Sequence, residues 1–164
     1  MKVFIIAAVT ADGYIARSTN ELANWTSPED KQHFTAMTKR AGIMVMGRTT
    51  YDTIGRPLPG RKTVVYTSRP LDNAEVETTQ ESPVDLLKRL EAAGFKEVAI
   101  CGGAAIYSMF LQAGVVDELY LTVEPILFGQ GVPLYDQALD IRLKLADVGK
   151  LNDDVLLVHY EVQK

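Results

Sequence analysis

The sequence is poor in the residues that build covalent links and metal centres. It has 1 cysteine, Cys101, among 164 residues, which rules out an internal disulfide and suits a reducing, cytoplasmic setting. Its 2 histidines, His33 and His159, stand apart without metal-ligand spacing, so no metal is expected. No apolar run reaches the length of a membrane span. The opening MKVFIIAAVTADGYIA holds a short apolar stretch interrupted by Asp12, and it reads as strand and loop rather than a secretory signal. The formal net charge is −4 with no basic patch for a phosphate backbone, so neither nucleic acid nor a membrane is an expected partner. The glycine fingerprint GxGxxG is missing, which leaves an ordinary Rossmann domain weakly supported.

What is present is ordinary globular material, 47% hydrophobic and 23% charged, enough for one domain over residues 1–164. Val3 to Val9 is an unbroken apolar run, the mark of a strand buried on both faces. A polar loop follows, from Thr10 to about Thr26. Ser27 is placed as an N-cap, with Pro28 at the first helical position and Asp30 as the acid of a capping-box variant. That helix should end near Gly42. Ile43 to Met46 and Thr63 to Thr67 read as strands, separated by a short helix through Ile54 and the turn-rich GRPLPGRK (55–62).

Ser82 with Pro83 and Asp85 starts another helix, which Gly94 ends. Val98 to Cys101 is a strand, Gly102-Gly103 a tight turn, and Ala104 to Gln112 a helix. Beyond Asp117 the helical signals fade. Glu118 to Pro125, Leu143 to Val148 and Val155 to Val162 read as strands, with a hairpin turn at residues 151–154. Alternating strands and helices followed by strands alone predict an α/β fold. Its three layers would surround a mostly parallel central sheet with antiparallel C-terminal strands.

Three junctions carry suggestive chemistry: MGRTT (46–50), YTSR (66–69) and CGGAAIY (101–107). Open α/β sheets bind ligands beyond the carboxyl ends of their strands, where helix N-termini offer free N–H groups to phosphates. Arg48, Thr49 and Thr50 with the Gly102-Gly103 turn could hold a pyrophosphate from two sides. Ser68 and Arg69 could hold a further phosphate, such as the one that distinguishes NADPH from NADH. The plainer alternative is that Gly47, Gly102 and Gly103 only permit tight turns and that Arg48 is a solvated charge.

Asp30 shares a helical face with Phe34, Met37 and Ala41. A carboxyl in apolar surroundings is costly to ionise, which raises its pKa and suits a proton donor or a group that holds a heterocycle. The alternative is a cap: Asp30 lies three residues after Ser27. Trp25 reads equally as a core residue.

The stretches NWTSPEDKQHF (24–34), MGRTTYDTIGRPLPGRK (46–62), CGGAAIYSMFL (101–111) and YLT (120–122) together resemble dihydrofolate reductase, in order and at compatible spacing. The resemblance implies that fold, NADPH as cofactor and dihydrofolate as substrate. It makes Asp30 the acid that meets the pterin, Trp25 the residue ordering water beside it, and Thr122 the hydroxyl supporting it. Phe34 would pack on the substrate's rings, and Arg61 would grip its glutamate carboxylate. Tyr107 would sit beside the nicotinamide, with Ala8 and Ile15 lining the same end. Gly47, Arg48, Thr49, Thr50, Thr67, Ser68, Arg69, Gly102 and Gly103 would bind the cofactor. The Gly102–Gly103 peptide bond is expected to be cis.

Some residues depart from that pattern. The loop from Ala16 to Trp25 is about two residues longer than in the bacterial reductase pattern. Asn24, Lys31 and Ala104 stand where proline, an apolar residue and glycine are usual. The segments ADGYIA (11–16) and EPILFGQGVPLYD (124–136) instead resemble the reductase of riboflavin synthesis, which has the same fold. That resemblance keeps NADPH but changes the acceptor to a ribosylamino-pyrimidine phosphate. The folate family implies a monomer and the riboflavin relative a homodimer. A nucleotide-binding regulatory module without catalysis is the reading from outside enzymology.

Overall fold

A computed structural model describes residues 1–164. In chain order its elements are β1 Lys2–Thr10, β2 Tyr14–Ala16, α1 Pro28–Ala41, β3 Ile43–Gly47, α2 Arg48–Ile54, β4 Lys62–Tyr66 and β5 Val76–Thr79. There follow α3 Pro83–Ala92, β6 Glu97–Ile100, α4 Ala104–Gln112, β7 Glu118–Glu124, β8 Val132–Pro133, β9 Leu143–Lys150 and β10 Leu156–Val162. Eight strands form one sheet in the order β5-β4-β3-β6-β1-β7-β10-β9. Every pair from β5 to β7 is parallel, and β10 pairs antiparallel with both β7 and β9. This is the α/β architecture the sequence predicts. No helix is long and apolar enough to cross a membrane.

The apolar run of β1 explains the layering. Val3, Ile5 and Ala7 face a core shared with Leu86 and Leu90 of α3 and Phe110 of α4. Phe4 and Ile6 face the other core, with Met37 and Ala41 of α1 and Tyr51 of α2. Successive side chains on a strand point to opposite faces, so a strand between two helical layers must be apolar at every position. Each such side chain, once fully buried, contributes about 1.5–3 kcal/mol.

Three strands escape the sequence reading. β5, VETT, has one buried apolar residue, Val76, and lies at the sheet edge, where it is held by backbone pairing with β4 and by the Lys62–Glu77 ion pair. β2 and β8 are three and two residues long and pair only with each other. Segments this short carry no periodicity to read. They matter because they tie the segment after β1 to the loop after β7. Asp12 does the same, accepting the amides of Phe128 and Gly129 at 3.2 and 2.7 Å.

Candidate active site

The parallel strands end on one side of the sheet, and there α1, α2 and α4 begin around a cavity of about 890 Å3. Asp30, in the first turn of α1, lines it. Ser27 caps this helix, its Oγ accepting the Asp30 amide at 3.2 Å. The carboxyl of Asp30 does not complete the cap. That place is taken by Glu124, at the end of β7, whose Oε1 accepts the Ser27 amide at 2.8 Å and the Ser27 hydroxyl at 2.7 Å. The capping reading of Asp30 therefore holds for its backbone and not for its side chain. Burial pushes the Asp30 carboxyl above its ordinary value; the Thr122 hydroxyl opposes this, and the Glu124 charge adds to it.

Helices α1 and α3 are capped by serine, but α2 and α4 begin at Gly47 and Gly103 with no side-chain cap bond. Their first-turn N–H groups therefore meet the cavity with no side-chain acceptor, an arrangement suited to phosphate oxygens. Side chains at the glycines would intrude. A Cβ on Gly47 would lie 3.1 Å from Ile106, and one on Gly102, where φ is +111°, would lie 3.1 Å from the Tyr107 hydroxyl. The Gly102–Gly103 peptide bond is cis, as expected. Tyr107 is 3% exposed and donates to the Ile6 carbonyl at 2.9 Å, which locks the ring against the cavity. Burial first, with nearby groups adding, holds its phenol well above the ordinary value, so it stays a neutral donor.

Arg48 pairs with Asp52 at 2.9 Å and donates to the Pro70 carbonyl at 3.4 Å. This contact draws the 67–70 loop toward the start of α2. Within the loop, Thr67 Oγ1 accepts the Arg69 amide at 3.1 Å, leaving Ser68 and Arg69 exposed. Uncapped helix starts with this cation and hydroxyl cluster could hold the phosphates of a dinucleotide cofactor.

Of the residues singled out from sequence, Ala8, Ile15, Trp25, Asp30, Phe34, Gly47, Arg48, Thr49, Thr50, Gly102, Gly103 and Tyr107 line the cavity together. Thr122 stands behind Asp30, 1% exposed, paired in register with Ala8. Thr67, Ser68 and Arg69 lie outside the walls, and so does Arg61, whose Nη1 donates to the Pro59 carbonyl at 2.9 Å. The buried Nε of Arg61 has no partner.

Trp25 packs edge-on to Phe128 at 5.1 Å, over which Arg17 lies at 4.3 Å. The longer loop is thus folded against the segment that follows β7, and Leu22 and Ala23 roof the cavity. Sequence reasoning missed Glu124. The available signal was its place two residues after Thr122, on the same face of β7. It also missed Val132, Pro133 and Asp136, which bring the C-terminal third to the cavity wall.

Comparison with known proteins gives the same picture. The family model for dihydrofolate reductase matches residues 2–126. Dihydrofolate reductase type 3 of Salmonella typhimurium is 36% identical over 125 residues, covering 74% of this chain and 71% of that protein. Dihydrofolate reductase of Bacillus subtilis is 37% identical over 118 residues, covering 71% of this chain and 66% of that one. Among solved structures, a Shewanella sp. PV-4 protein assigned to riboflavin biosynthesis superposes with a TM-score of 0.85 at 26% identity over the whole of both chains. Acinetobacter baumannii RibD shares the fold, with a TM-score of 0.84 and 21% identity, this chain covering 58% of it. The sequence likeness spans the acid of α1, both uncapped helices and the glycine pair, so the chain belongs to the dihydrofolate reductase family, a family of oxidoreductases.

Proposed function

We propose that this protein uses NADPH to reduce dihydrofolate to tetrahydrofolate. The observation that carries the reading is the Asp30 carboxyl, buried, released from the helix cap and lining the cavity between Phe34 and Tyr107. A carboxyl so placed can accept two hydrogen bonds from a pterin's amino group and ring nitrogen, and its raised pKa keeps its proton to higher pH than an ordinary carboxyl would. Thr122 orients it, and Trp25 closes the cavity beside it. Phe34 and Leu58 supply apolar walls for the flat rings. Arg61 has a buried, partnerless Nε, which suits one arm of a fork for the glutamate carboxylate.

NADPH, when bound, supplies the hydride. The chain's part is to hold it. Gly47 and Gly103 present amides to the phosphates, Thr49 and Thr50 add hydroxyls, and Tyr107, Ala8 and Ile15 wall the nicotinamide end. Arg48, Ser68 and Arg69 meet the 2′-phosphate.

A second reading is reduction of a ribosylamino-pyrimidine phosphate. Two observations favour it. The structural likeness to the riboflavin biosynthesis protein runs the full length of the chain. Lys31, on the cavity wall, donates to the neutral Thr26 carbonyl and hydroxyl, at 2.9 and 2.7 Å, and could also meet a substrate anion.

The chain's 1 tryptophan, Trp25, lines the cavity and makes a native reporter. Dihydrofolate and NADPH should each quench its fluorescence saturably. Quenching by the ribosylamino-pyrimidine phosphate, with none by dihydrofolate, would transfer the assignment to the second reading.

A further inference from the structure

The chain uses one helix-start motif twice, with two outcomes. Ser27-Pro28-Glu29-Asp30 opens α1 and Ser82-Pro83-Val84-Asp85 opens α3. Both serines have extended backbone, at φ −67° and ψ 157° for Ser27 and φ −62° and ψ 153° for Ser82. Both accept the amide of the aspartate three residues on at 3.2 Å. In α3 the Ser82 hydroxyl donates back to the Asp85 carboxyl at 2.7 Å, which closes the cap. In α1 the Ser27 hydroxyl donates instead to Glu124. The two starts share serine, proline and aspartate at the same positions, and what differs at the cap is the carboxylate that lies opposite Ser27.

Glu124 is 3% exposed, and its side chain accepts from the amide and hydroxyl of Ser27, neither of them a cation. A carboxylate buried on two hydrogen bonds to one serine is an expensive way to cap a helix that already carries its own acid. We propose that Glu124 is a positioning residue for Asp30: by capturing the Ser27 amide and hydroxyl, it keeps the Asp30 carboxyl open to the cavity. This rests on Asp30 being the working acid of the proposed reduction. The titratable groups facing Asp30 are Glu124 from β7, Lys31 and His33 from its own helix, and Tyr107 from α4. Glu124 thus acts in two ways, by competition for the cap and by its charge. Both keep Asp30 protonated to higher pH.

The test is a pair of variants whose activity and stability should move in opposite directions. Glu124→Leu frees the Ser27 hydroxyl to close on Asp30, as Ser82 closes on Asp85. Its kcat/KM for dihydrofolate at neutral pH should fall about tenfold or more, the scale of a misplaced proton relay. Adding Ser27→Ala removes the competing hydroxyl. The double variant should recover at least about threefold over Glu124→Leu, although loss of a cap lowers its thermal midpoint. A purely structural Glu124 predicts the reverse, with the double variant the poorer in both properties. Recovery supports the proposal; no recovery overturns it.

A carboxyl-carbon NMR titration separates this from the substrate assignment, since it needs no substrate. The Asp30 midpoint should fall in Glu124→Leu and rise again in the double variant. An Asp30 midpoint equal in parent and Glu124→Leu overturns the proposal, whatever the enzyme reduces. If Glu124→Leu fails to fold, Glu124→Gln keeps an acceptor for Ser27 and removes the charge. Its Asp30 midpoint should lie below the parent's, and an unmoved midpoint again overturns the coupling.

Discussion

Replacing Asp30 with Asn should lower activity and raise stability in the same protein, and the structure gives the sign of each. Burial, first among its causes, holds the Asp30 carboxyl above its ordinary value of 3.8. A carboxyl with a raised folded-state pKa gives stability that is complete below the unfolded value and lost as pH rises through the folded one. At neutral pH the ionised, buried Asp30 is therefore a cost that Asn removes. Each tenfold change in the acid's dissociation constant corresponds to about 1.4 kcal/mol. In a domain of this size each kcal/mol moves Tm by about 2–4 °C. Calorimetry of Asp30→Asn should thus show a Tm above the parent's at neutral pH, and no difference below pH 3.8. Dihydrofolate turnover at neutral pH should fall by about 10²–10⁴-fold, the span assigned to a positioned acid or base. An Asn variant that turns over like the parent refutes the catalytic reading. One that is no more stable at neutral pH refutes the burial argument.

Arg61→Ala should raise KM for dihydrofolate by about 10–100-fold with kcat little changed, because a charge-assisted bond of about 1.5–3 kcal/mol is lost equally from ground and transition states. Steady-state kinetics decides it, and a fall confined to kcat would remove Arg61 from the glutamate site. The parent should prefer NADPH to NADH in kcat/KM, and Arg48→Ala should narrow that ratio; equal ratios would dismiss the phosphate assignment of Arg48, Ser68 and Arg69. At Gly131, where φ is +154°, a Cβ would lie 2.4 Å from the Ala16 carbonyl oxygen. Gly131→Ala should cost about 1–3 kcal/mol or more by forcing β2 and β8 apart, measured as a fall in Tm; an unchanged Tm would show that this pairing is dispensable.

The sequence announced the inner strands and helices because their physics is local. β1 is apolar at every position from Val3 to Val9, and α1 and α3 carry serine caps with proline behind them. Asp30 was legible as an acid on an apolar face, although its spacing from Ser27 supported capping as well. Only β7 resolves that ambiguity, because Glu124 lies 97 residues from Ser27 in the chain. Separation in sequence also hid β2 and β8, two short strands that pair only with each other. Ser68 and Arg69 were read from the junction after β4 and Arg61 from the resemblance, and all three stand outside the cavity walls rather than in them. What no local pattern encodes is which of two serine-proline-x-aspartate helix starts will have its acid set free.

The most direct measurement is the initial rate of NADPH oxidation by the parent protein, followed by absorbance with dihydrofolate, with the ribosylamino-pyrimidine phosphate, and with no acceptor. The account predicts rapid, saturable oxidation with dihydrofolate, falling as pH rises, and only background rates in the other two. Oxidation that depends on the ribosylamino-pyrimidine, with dihydrofolate at background, would contradict it.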